Sequence, residues 1–224
     1  MKGRHIPQTL KVNRNPLTNS GFNTALNFLA EKDTDLGEVL SVFGPPPLWV
    51  REPGFGSLLY IILEQQVSIA SARATFSRLK AIVPFLTPGS FLALDPDALK
   101  AVGFSRQKIR YGRILAEAVQ DGDLDLGGLN LLDDDAARKA MMKVTGIGRW
   151  TADVYLLTAL RRPDVLPVGD LALMNAARQV KRLEERPTPA LFESIGEGWR
   201  PWRSVAARIL WHAYLKGVWP EQRY

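Results

Sequence analysis

The chain has 224 residues, with 29 Lys and Arg against 23 Asp and Glu for a net charge of +6, and 46% of it is hydrophobic. That is enough apolar material for one compact unit or two small lobes, and it excludes disorder for most of the chain. The absence of cysteine, with His5 and His212 as the only histidines, excludes disulfides, thiolate nucleophiles, Cys-held zinc or iron–sulfur clusters and multi-histidine metal sites. A pI near 9.7 suits a polyanionic partner and equally an ordinary soluble protein. No apolar run approaches the roughly 20 residues of a membrane span, and residues 1–11 lack the apolar stretch of a secretory signal, so the expected location is cytoplasmic.

Residues 1–20 are polar and basic, broken by Pro7 and Pro16, and read as a flexible arm. Apolar residues at helical spacing follow over 23–32 and 36–43, until Gly44 and three prolines stop any helix. The apolar stretch from Phe55 to Val67 is too long and too unalternating for a strand and predicts a buried helix, with another from Ser68 to Ile82. Short helices are expected over 88–94 and 97–102, the latter capped by Asp95 with Pro96 in its first turn. Ser105 caps a helix to Val119 with Arg106, Lys108, Arg110 and Arg113 on its wet side, and Asp133-Asp134-Asp135 heads one to Met142. Further helices are predicted over 150–160, 171–182, 190–196 and 202–217. The expectation is an all-α protein of about a dozen short helices.

Met142 to Asp153 reads as a helix end, the Gly146-Ile147-Gly148 turn and a new helix. Two glycines let backbone approach a phosphate closely, and the new helix aims its free N–H groups and positive dipole end at that anion. Such a helix-hairpin-helix positions nucleic acid without reading its sequence, although Gly-x-Gly alone also describes a plain interhelical turn. Twenty-two residues beyond Gly148 stands Asp170, in Pro167-Val168-Gly169-Asp170-Leu171. Gly-Asp before an apolar-periodic helix is what an N-cap looks like.

Three blocks together resemble the helix-hairpin-helix DNA glycosylases, specifically the 3-methyladenine DNA glycosylase II (AlkA) family. These are Ile62-Leu63-Glu64-Gln65-Gln66-Val67-Ser68, then Gly146 to Ala152 with Asp170, then Arg200-Pro201-Trp202-Arg203-Ser204 running to Trp211. The resemblance implies two helical lobes, a six-helix one over 53–166 holding the hairpin and a second from 21–52 plus 167–224, with the active site in the cleft between them. Members with an extra N-terminal β-domain have more chain ahead of the first block. It further implies a monomer that binds double-stranded DNA containing alkylated bases and hydrolyses their N-glycosidic bond, in a bacterium at the nucleoid. A glycosylase for uracil, mismatched or oxidised bases, or a non-catalytic damage-binding module, are the alternatives.

By the same resemblance Asp170 is the catalytic carboxylate, which would stabilise the oxocarbenium-like sugar or orient water. Trp150 stands where bifunctional relatives carry a nucleophilic lysine, so no Schiff base is expected. Trp211, Trp150 and Tyr155 are the base-pocket candidates, the family's pocket tyrosine itself falling at Val154; Trp199 and Trp202 are assigned to the core. Gly146, Ile147, Gly148, Arg149, Thr151, Gln65 and Gln66 are the DNA-binding candidates, with Gln66 at the wedge position that fills the gap left by a flipped base. The chemistry implies no cofactor. The family's hairpin also holds a monovalent or other hard cation, which maps to the backbone carbonyls of Met142, Val144 and Ile147.

Overall fold

The computed structural model describes residues 16–217, and every regular element among them is helical. Twelve α-helices run in chain order. They are α1 Asn19–Lys32, α2 Thr34–Phe43, α3 Phe55–Glu64, α4 Ile69–Ile82, α5 Pro88–Leu92 and α6 Pro96–Ala101, followed by α7 Arg106–Gln120, α8 Asp134–Met142, α9 Arg149–Thr158, α10 Leu171–Val180, α11 Pro189–Glu197 and α12 Arg203–Lys216. A 3-10 turn, Gly128–Leu131, precedes α8. No helix among the described residues is long and apolar enough to cross a membrane.

Side-chain caps set many of the boundaries. Ser68 accepts from the Ser71 N–H at the start of α4, Ser105 from Lys108 at α7, Asp133 from Ala136 at α8 and Thr188 from Leu191 at α11. Each such cap is worth about 1 kcal/mol. Asp33 ends α1 and opens α2, its Oδ1 accepting from the N–H groups of Asp35 and Leu36.

Two hydrophobic cores divide the chain. The first is built on α3, whose Leu58, Leu59, Ile61, Ile62 and Leu63 are buried and which packs against α4, α7 and α9. The second gathers α1, α2, α10 and α12 around Leu29, Leu36, Ala177, Ile209 and Leu210. Helix α9 serves both, since Tyr155 and Leu156 belong to the first core and Leu157 to the second. The stretch 53–166 contains the seven α-helices read from its sequence, where the resemblance implied a six-helix lobe.

Two boundaries differ from the sequence reading. Residues 1–15 of the expected arm lie outside the described residues, but its end is anchored: Leu17 is buried, its N–H donates to the Arg161 carbonyl at 2.8 Å, and Thr18 caps α1. Helix α3 ends at Glu64 instead of Val67, because Gln66 takes a left-handed conformation, φ +57°, that no helix can continue through.

Candidate active site

The hairpin joins α8 to α9. Gly146 sits at φ +99°, and a Cβ there would clash with Cγ of Tyr111, so this position needs glycine on two counts. Gly148 differs. Its backbone is extended at φ −90°, ψ 177°, and a Cβ would meet nothing within 4 Å. The fold does not require glycine there, yet the residue is the N-cap of α9 and no side chain caps that helix. Open space in front of uncapped N–H groups is the geometry of an anion site.

The turn between α3 and α4 braces the hairpin. The Gln65 amide donates from Nε2 to the Gly146 carbonyl and to Thr151 Oγ1, both at 2.9 Å. Thr151 is buried and bonds inside the protein, where direct DNA contact was expected; Gln65 is half-buried and braces the hairpin's shape while also facing the open cavity beside it. Gln66 is exposed at the tip of this turn. A cavity of about 560 Å³ opens beside it, walled by Gln65, Gln66, Ser105, Gln107, Tyr111 and the hairpin glycines; Ile147 is buried at its edge.

Asp170 lies where the two cores meet. Its Oδ1 accepts from the Leu173 N–H at 2.9 Å as the N-cap of α10, and its Oδ2 accepts from Trp150 Nε1 at 2.8 Å. Trp150 belongs to α9 and packs on the first core, while α10 belongs to the second. The indole N–H thus fixes the carboxylate across the lobe junction. Helix α12, carrying half-buried Trp211, packs directly against α10.

Arg149 is exposed but tethered to the protein by two acids. Its Nη2 donates to Glu193 of α11 at 2.7 Å and its Nε lies 3.6 Å from Asp153, so it too bridges the lobes. Asp153, fully buried, receives Arg138 Nε at 2.6 Å. Burial pushes its carboxyl up, against the pull of Arg138 and Arg149. Sequence reasoning missed this group; acids within a helix give no pattern that separates a buried one from a solvated one.

Tyr155 is corrected. Its ring is fully buried in the first core and its hydroxyl accepts from the Gly54 N–H at 2.9 Å, so it braces the chain entering α3 and lines no open pocket. Trp199 is buried, donating Nε1 to Asp33 at 2.6 Å, and Trp202 packs on the second core. At the proposed cation ligands, Val144 and Ile147 are buried, Met142 is exposed, and the Val144 carbonyl accepts from the Ile147 N–H at 3.0 Å.

Residues 59–201 match the family model of the HhH-GPD superfamily base excision DNA repair proteins. The chain belongs to this superfamily. It is 32% identical, over 77% of its length and 79% of the relative's, to DNA-3-methyladenine glycosylase 1 of Schizosaccharomyces pombe. Among solved structures, the 3-methyladenine DNA glycosylase Mag1 of the same yeast, in complex with abasic DNA, superposes with a TM-score of 0.75 at 29% identity, covering 85% of this chain and 94% of that one. A DNA-3-methyladenine glycosidase from Bacillus halodurans gives 0.72 at 30% identity, covering 92% and 93%.

Proposed function

We propose that this protein is a monofunctional DNA glycosylase that hydrolyses the N-glycosidic bond of alkylated purines in duplex DNA. The free base leaves, and an abasic site begins base excision repair. One observation carries the reading: a carboxylate fixed by two N–H donors, Trp150 Nε1 and the Leu173 amide, at the junction of the two cores. A negative group held in place there costs no reorganisation when positive charge develops on the sugar. An alkylated purine already carries positive charge and leaves readily, so a second acid is unnecessary.

The other residues divide the remaining work. The open N-terminus of α9 at Gly148 takes a phosphate, without reading bases. Gln66, exposed on its strained turn, enters the gap left by the flipped nucleotide, where its amide can pair with the orphaned base. Trp211 and Trp150 offer π faces to the cationic base. Trp150 occupies the place of a lysine nucleophile, and an indole cannot form a Schiff base. A hard monovalent cation at the carbonyls of Met142, Val144 and Ile147 would add positive charge under the same phosphate; every donor offered is a neutral oxygen, which suits such an ion. The protein acts as a monomer on double-stranded DNA.

The test is a single-turnover excision assay on duplexes carrying 3-methyladenine, 7-methylguanine, 8-oxoguanine or uracil. Release of the alkylated bases from an uncut strand, with no adduct trapped by borohydride, is expected. Excision confined to 8-oxoguanine or uracil, or a trapped complex, overturns the reading.

A further inference from the structure

Trp49 lies in the segment that joins α2 to α3, and its backbone is left-handed at φ +43°. A bulky L-residue adopts that conformation only under constraint, and such residues gather at functional sites. The constraint is visible on both sides. The Leu48 carbonyl accepts from Arg208 Nε of α12 at 2.6 Å, and the Arg51 N–H donates to the Thr158 carbonyl of α9 at 3.0 Å. Arg208 is itself buried and also donates to the carbonyls of Ser204 and Leu157. One residue is therefore pinned between the helix that carries Trp211 and the helix that carries Trp150.

Packing does not account for the strain. Among the described residues the Trp49 ring packs into neither core, although Leu48 beside it packs on the second. The ring stays half-exposed, its centroid 6.4 Å from that of His212 and tilted by 57°. His212 follows Trp211 directly in α12 and is fixed by donating Nε2–H to the Phe43 carbonyl at 3.1 Å. A large flat ring has thus been held out of the interior, against the helix that carries the tryptophan assigned to base stacking.

We propose that Trp49 is a further base-stacking residue, supplied by the inter-lobe segment, whose π face receives the flipped, positively charged purine together with Trp211. This rests on the glycosylase reading above. The strain in the free protein is offset when a cationic ring covers the indole, since cation–π attraction strengthens as water leaves. Sequence alone gave no hint of it: Pro-Leu-Trp-Val reads as linker.

Two variants separate stacking from scaffolding. Asparagine tolerates left-handed backbone, so Trp49→Asn keeps the turn and removes the ring, whereas Trp49→Phe keeps a ring. Wild-type release of 7-methylguanine is measured first; its absence would defeat the glycosylase reading itself. Given wild-type excision, Trp49→Asn should slow single-turnover release by about tenfold or more, the loss expected for one stacking contact. Its affinity for a duplex with a tetrahydrofuran abasic analogue should stay within about twofold and its melting temperature should hold, and Trp49→Phe should recover most of the rate. Unchanged release by Trp49→Asn, loss of rate together with analogue affinity and melting temperature, or no recovery by Trp49→Phe would each overturn the proposal.

Discussion

Trp150 Nε1 donates to Asp170 Oδ2 at 2.8 Å, joining the first turn of α9 to the cap of α10. The residue that the proposed reading sets in the place of a lysine nucleophile is thereby also the one that holds the Asp170 carboxylate. Trp150→Phe keeps the ring and removes the donor, leaving Asp170 Oδ2 without this partner. Excision should fall by about tenfold, the equivalent of one hydrogen bond to a charged group, while affinity for an abasic analogue is retained. Rates equal to wild type in a single-turnover assay would mean that the indole N–H does not orient Asp170.

The hairpin glycines separate structure from function. Gly146→Ala drives a Cβ against the Tyr111 side chain at a positive φ and should lower thermal stability, by about 1–3 kcal/mol for overpacking. Gly148→Ala meets no protein atom and, as a change at an N-cap, should cost at most about 1 kcal/mol of stability, yet a methyl group in the open space at the start of α9 should weaken binding to every DNA sequence alike. Calorimetry beside a binding titration checks both. A sequence-dependent loss for Gly148→Ala would contradict phosphate anchoring.

Gln65 should behave as a brace. Gln65→Leu leaves the Gly146 carbonyl and the buried Thr151 hydroxyl without their donor, and should raise the Kd for abasic-analogue duplex several-fold with no change in which lesion is preferred. Fluorescence anisotropy reads the first effect and competition between lesions the second.

Acid should loosen the second lobe through Asp33. Burial raises its pKa, but hydrogen bonds from Lys181 and Trp199 and the charge of Lys181 outweigh this and hold the carboxyl below its ordinary value. A carboxyl lowered by folding adds stability in full above the unfolded value, near 3.9, and loses it as pH falls through the folded one. Urea unfolding of wild type and Asp33→Asn should therefore differ most near neutral pH and converge below about pH 4. A gap that widens in acid would contradict the ion pair at 2.6 Å between Lys181 and Asp33.

The helices were legible because their signals are local. Ser68, Ser105 and Asp133 announce their caps, and the proline run after Gly44 breaks the chain beyond α2. The end of α3 was not, since the left-handed turn at Gln66 interrupts an apolar sequence that could have continued a helix. At the site, the hairpin and Asp170 could be read because glycine spacing and an N-cap leave marks in one dimension. Tyr155 could not be told from a pocket ring, as the core that buries it and the Gly54 N–H that meets its hydroxyl lie far from it in sequence. Thr151, Gln65 and Arg149 were read as DNA contacts, and that their polar groups bond to the protein itself is a matter of tertiary contact that the sequence does not display.

The most direct test of the account is Asp170→Asn. Both carboxylate oxygens accept N–H donors, so an asparagine must turn its NH₂ toward one of them and can keep the cap or the Trp150 bond, not both. Stability should fall by about 1–2 kcal/mol, a loss that leaves the protein folded at 25 °C. Single-turnover excision of 7-methylguanine should fall on the order of a hundredfold or more, because the charge that offsets the developing sugar cation is gone, and abasic-analogue binding should persist. Excision at the wild-type rate in a folded Asp170→Asn protein would show that Asp170 is a cap and nothing more.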